Sequence, residues 1–164
     1  MSRFLFGLAA LGALLSAAKA AAEPFAIDLE VRSGKARKTA HAESAAPGAR
    51  QKGRDVLEVK AGAPVTVKWK LSSTDRKATV KDVTVHFFAV KQDRPGQQAV
   101  PKLDKGVIAE SALSMDFGPK DKNEGTLSFT IDEPGCYLFR LETIGATAGP
   151  AGHENFAALD VKVR

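Results

Sequence analysis

The chain has 164 residues, 44% hydrophobic and 26% charged, with three His and one Cys. A formal net charge of +5, or +3 without the two basic residues among the first 22, is too small to imply a nucleic-acid partner, and a single cysteine excludes any internal disulfide. The length is that of one domain, so a hydrophobic core has to supply the stability that small exported proteins otherwise draw from cross-links.

The first 22 residues, MSRFLFGLAALGALLSAAKAAA, read as a signal peptide. Arg3 is a short positive start, and residues 4–15 form an apolar run of about a dozen residues, short of the roughly 20 that a transmembrane helix needs. Ala18-Lys19-Ala20 and Ala20-Ala21-Ala22 both fit the small-residue cleavage pattern, so cleavage is expected after Ala20 or Ala22. No cysteine follows to carry a lipid anchor. The expected product is an exported domain over 23–164, periplasmic or extracellular, with no retained transmembrane segment. Arg3 and Lys19 leave with the leader, so 24 basic residues become 22 against 19 acidic and the net charge falls to +3.

Period-2 alternation then dominates, the mark of half-buried strands. In FAIDLEVR, Phe25, Ile27, Leu29 and Val31 share one face. Residues 33–53, SGKARKTAHAESAAPGARQKG, lack an apolar period and are expected to form one long, flexible polar loop. VTVKWKL puts Val65, Val67, Trp69 and Leu71 inward. DVTVHFFAV alternates Val83, Val85, Phe87 and Ala89, but its other face carries His86, Phe88 and Val90, so this strand should be covered on both sides. Residues 92–105, QDRPGQQAVPKLDK, form a second polar connection. VIAESALSMDF places Leu113, Met115 and Phe117 inward, and GTLSFTI does the same with Leu127, Phe129 and Ile131. YLFRLET orients Tyr137, Phe139 and Leu141 to the core, leaving Cys136, Leu138, Arg140 and Glu142 on the opposite, partly exposed face. AALDVKVR closes the chain with Ala157, Leu159, Val161 and Val163 inward. Turn signals at Gly62-Ala63-Pro64, Pro95-Gly96, Pro134-Gly135 and Gly149-Pro150 separate these segments, and no stretch of the mature chain has sustained helical periodicity. The prediction is all-β: a single antiparallel immunoglobulin-like β-sandwich of about seven to eight strands.

LEVKAGAPVTVKWKLSSTD followed by VKDVTVHFFAV resembles the pattern of CARDB-type and related bacterial immunoglobulin-like or fibronectin-III-like modules. FTIDEPGCYLFRLE is similar to their closing hairpin, in which a Pro-Gly turn feeds a strand through an inward Tyr. The resemblance spans roughly residues 55–164. Ser72-Ser73-Thr74-Asp75 replaces the usual Asn-x-Gly, and the region 92–118 is longer than the pattern. What the resemblance implies is a non-catalytic adhesive, spacer or accessory module, because the motifs encode a sandwich and its turns.

The residues with chemistry are few. Cys136, His153 and Asn155 could nominally make a nucleophilic triad, but Cys136 opens a strand with no helix N-terminus near it and no oxyanion loop is apparent. A cupredoxin-like copper site is the alternative reading, with His86, Cys136 and His153 as metal candidates and Met115 as a fourth. The order is wrong for it, since Met115 precedes the cysteine and His153 lies too far beyond. These residues are expected to scatter. No cofactor is expected.

Carbohydrate stacking finds little support, because Trp69 and Tyr137 fall on core faces and only Phe88 and Phe156 remain as outward aromatics. The basic residues Lys35, Arg37, Lys38, Arg50, Lys52 and Arg54 read as a solvated loop. An unpaired thiol in an oxidising compartment can form an intermolecular disulfide, which makes a Cys136-linked dimer an expectation to test. His153, Glu154 and Asn155, in the loop between the last two strands, form the candidate binding loop, together with the 92–105 connection. The sequence therefore predicts an exported, non-enzymatic binding, adhesive or structural module of the cell envelope or secretome, whose partner would be a protein or an envelope polymer.

Overall fold

The computed structural model describes residues 25–41, 43–45, 53–74, 76–144 and 154–164. The leader expected over 1–22 lies outside them. Among the described residues there are ten strands: β1 (Phe25–Ser33), β2 (Ala36–His41), β3 (Glu43–Ala45), β4 (Val56–Val59), β5 (Pro64–Ser73), β6 (Val80–Gln92), β7 (Val107–Phe117), β8 (Lys122–Thr130), β9 (Gly135–Ile144) and β10 (Glu154–Val163). They form an antiparallel immunoglobulin-like sandwich. One sheet has the order β2-β1-β5-β8, and the other runs β3-β10-β9-β6-β7. The short β4 lies parallel to β10 at Asp160–Val163, on the same strand whose first residues pair with β3.

Alternation places the core where the sequence puts it. Ile27, Leu29 and Val31 of β1, Val65, Val67, Trp69 and Leu71 of β5, and Tyr137, Phe139 and Leu141 of β9 are buried between the sheets. Rings interlock across the layer: Phe25 meets Phe117 edge-on at 4.9 Å, and Phe129 stacks on Phe139 at 5.8 Å. The Pro134-Gly135 corner is pinned by its own tyrosine. Tyr137 is fully buried, and its hydroxyl donates to the Glu133 carbonyl at 2.8 Å. This tyrosine corner, a hallmark of immunoglobulin-like sandwiches, stabilises the sharp entry into β9.

The expected loop at 33–53 is corrected by β2 and β3. Gly34 adopts φ 58° in the two-residue turn Gly34-Lys35, which returns the chain as β2 antiparallel to β1. β2 is the sheet edge and its side chains are mostly exposed, so it carries no apolar alternation to read.

Two further expectations change at β7 and on the outer face of the second sheet. Leu113 has the inward parity expected of it, opposite Val85, yet is half exposed because β7 is an edge strand. Conversely, Phe88, Val90, Leu138, Phe156 and Ala158 are buried on the outer face and form a second, smaller apolar cluster. β6 is thus covered on both sides, as its composition predicts. The face shared by Cys136 is not simply surface: Leu138 and Arg140 on it are buried, and Phe88 and Phe156 are unavailable as stacking platforms.

Candidate functional site

The connection between β6 and β7, residues 93–106, folds back over the outer face of the second sheet. Its two ends are joined by Lys91 N–H donating to the Gly106 carbonyl at 2.8 Å. From there it crosses the start of β9 and reaches β10, the next strand but one from β6. Asp160 of β10, fully buried, holds it there. One carboxylate oxygen accepts from Arg54 Nε at 2.8 Å and from Gln92 Nε2 at 2.9 Å; the other accepts from the Gly96 backbone N–H at 2.6 Å. Arg54 also donates through Nη2 to the Gln97 carbonyl at 2.6 Å. A buried charge is tolerated only when paired and hydrogen-bonded in this way. Arg54, read from sequence as one more residue of a solvated basic loop, instead has a side chain only 5% exposed.

Under this clamped loop lies an open cleft of about 700 Å³, within the range of small-ligand sites. Its walls come from Lys91, Gln92, Gln97, Lys102, Lys105 and, at the start of β9, Cys136. The Lys91 stem lies between two glycines: a Cβ on Gly106 would sit 3.3 Å from Lys91 Cβ, and one on Gly135 would sit 3.2 Å from Lys91 Cε. The Lys91 ammonium pairs at the rim with Glu133, and this hydrogen bond raises the lysine pKa above its ordinary value. Burial, and then the Glu133 charge, raise that of Tyr137 beneath.

His86 belongs to a different constellation on the same face. Its Nε2 lies 2.8 Å from Glu110 of β7 and its Nδ1 3.1 Å from Glu142 of β9. Glu142 also accepts from Arg140 Nε at 2.7 Å, and the Arg140 guanidinium stacks 3.9 Å above the Phe156 ring. This row of charged side chains adjoins the second apolar cluster and ties β7, β6 and β9 together.

Among the described residues, the candidate ligands for a metal are not gathered. His86 is opposite Glu142, whereas Cys136 is opposite Gln92. Six residues of strand therefore separate the two, roughly 20 Å at the usual rise. Met115 packs against the core and accepts from Asn123 Nδ2 at 3.0 Å. His153 lies outside the described residues, and of Glu154 only the backbone pairing is described. Among the described residues, no group of three His, Cys, Asp or Glu side chains could hold a metal ion. Asn155, placed in the binding loop by sequence, is within β10 and buried; its Nδ2 donates to the Phe25 carbonyl at 2.8 Å, tying β10 to β1. Cys136 is partly exposed, in the cleft.

Of the cleft, the sequence pointed to the 92–105 connection, Gln92 included, but not to the Arg54–Asp160 pair that holds it. The available signal was weak: Asp160 occupies an outward position of an alternating strand, where an acidic residue is ordinarily solvated.

No family model matches the chain, and no curated protein matches it. Solved structures are similar in fold. The C-terminal domain of wzt is 9% identical, with 83% of this chain and 70% of that one covered at a TM-score of 0.45. The CARDB domain of PF1109 from Pyrococcus furiosus is 20% identical, with 84% and 94% covered at 0.41. The catalytic domain of an LPMO from Listeria monocytogenes is 18% identical, with 66% and 59% covered at 0.39.

Proposed function

We propose that this chain is an exported, non-catalytic β-sandwich module that binds a partner of the cell envelope or secretome through the cleft under the 93–106 loop. The observation that carries this reading is the clamp. A long loop is held against a rigid sheet by a buried Arg54–Asp160 pair, so the cleft is formed before any ligand arrives. Its lining has cations, amides, one carboxylate and a thiol, and among the described residues the Cys136 thiol has no hydrogen bond to a base. That composition suits recognition better than turnover. Export rests on the leader, with its short apolar run and Ala-x-Ala sites.

The test is direct. Replacing residues 97–104 with a short Gly-Ser turn should leave a folded, secreted domain that no longer co-fractionates with the envelope. Undiminished envelope association of that variant sinks the cleft as the binding site. N-terminal sequencing of the secreted protein should begin at Ala21 or Glu23, and an intact Met1 in the periplasm or medium would refute the leader.

A further inference from the structure

We infer that the cleft takes a ligand bearing more than one carboxylate or phosphate group, held by Lys102 and Lys105 with Lys91 as a third, recruitable cation. This rests on the cleft being the binding site. Its lining includes three lysines and one carboxylate, Asp93. Among the described residues, Lys102 and Lys105 have no ion-pair partner. Two unpaired ammonium groups rooted in the loop wall therefore border a cleft whose opposite wall is β6 and β9.

Lys91 completes the set from that opposite wall. Its pair with Glu133 is exposed, at 40% and 69% for the two side chains, and an exposed pair of this kind is weak and screened by salt. An incoming oxyanion can replace Glu133 on Lys91 at little loss. The stem is already seated between Gly106 and Gly135, so only the ammonium has to move. Lys162, the cross-strand neighbour of Cys136 on β10, adds further positive potential at the same end of the sheet. Asp93 offsets one charge and leaves the cleft cationic. Lysine meets carboxylate and phosphate as a point charge, without selecting their geometry, so the common chemistry is a multiply charged oxyanion. Such groups occur on small organic acids and along anionic glycan chains.

The mature protein should be titrated with citrate, with inorganic pyrophosphate and with an oligogalacturonate, using a neutral oligosaccharide of equal length as control, while backbone amide signals are followed by NMR. Binding of any anionic probe is expected to move Gly96, Gly106 and Gly135, to weaken as salt rises, and to fall by about tenfold or more in K102Q/K105Q. Both lysines are on an exposed loop, so an unchanged melting temperature should show that the double variant remains folded. Citrate or pyrophosphate binding alone identifies a small-molecule ligand, and preference for the oligogalacturonate a polymer segment; both support the inference. Equal binding of the neutral oligosaccharide at these amides overturns the charge assignment while leaving the cleft as the binding site. Probes that all leave these amides unmoved overturn the inference as well, and the envelope-association result then decides the cleft itself.

Discussion

Trp69 is the largest side chain in the sandwich, and the residue opposite it in β8 is Gly125. A Cβ added there would fall 2.4 Å from the indole ring, a separation that no relaxation of a six-membered ring can absorb in place. Gly125→Ala should therefore destabilise the fold by about 1–3 kcal/mol, the usual range for an overpacked site. A denaturant midpoint equal to wild type would show that the Trp69 rotamer is free to move. The alternation of GTLSFTI made Leu127 and Phe129 legible as inward residues. It could not assign Gly125 a role, because the reason for a glycine there is the ring on a strand that is distant in sequence. Cys136 is similar. Parity correctly set it on the face away from Tyr137 and Phe139, yet only the path of a loop from another hairpin shows that this face is a cleft.

At the scale of elements, the 93–106 loop depends on side chains from three places: Arg54 before β4, Gln92 at the end of β6 and Asp160 in β10. Removing one partner of the buried ion pair leaves the other charge unpaired, so Asp160→Ala should cost about 3–5 kcal/mol. Replacing both with apolar residues of similar volume, as in R54M/D160L, should recover most of that loss, because desolvation and attraction nearly cancel in the intact pair. Hydrogen exchange separates the roles: the double variant should protect the strands as wild type does but lose protection at Gly96, whose N–H donates to Asp160. Retained protection at Gly96 would show that the loop is held by other contacts. Strands with an apolar face announced themselves in the sequence, and β2 and β3 did not. β2 is an exposed edge whose formation is dictated by the Gly34-Lys35 turn and by the pairing of its backbone with β1. The Ser-Gly-Lys-Ala turn was the only local signal for it. Hydrogen bonding of this kind leaves no trace in hydrophobic periodicity.

For the molecule as a whole, the tyrosine corner and the cleft rim make stability fall at alkaline pH. Tyr137 is the chain's only tyrosine, so phenolate absorbance reports this one site. Burial raises its pKa above the ordinary 10.0, and the Glu133 charge adds to the effect. The folded protein therefore keeps a proton that the unfolded chain releases as pH rises past 10.0, and this contribution is complete below that pH and diminishes above it. Lys91 acts with the same sign. Its hydrogen bond to Glu133 raises its pKa above 10.5, so the contribution of the charged pair is present below 10.5 and is lost as pH climbs through the folded value. The exposed rim pair contributes little beside the buried phenol. Phenolate absorbance in native protein should thus stay low past pH 10.0 and rise together with loss of sheet circular dichroism. Tyr137→Phe removes the hydroxyl bond to Glu133 and should lower stability at neutral pH by about 0.5–1.5 kcal/mol. The same variant should show a shallower decline of stability above pH 10, since its main titrating group is gone. A phenolate signal that rises near pH 10.0 while the sheet signal is intact would show that the hydroxyl titrates freely, and that the corner is held by packing alone.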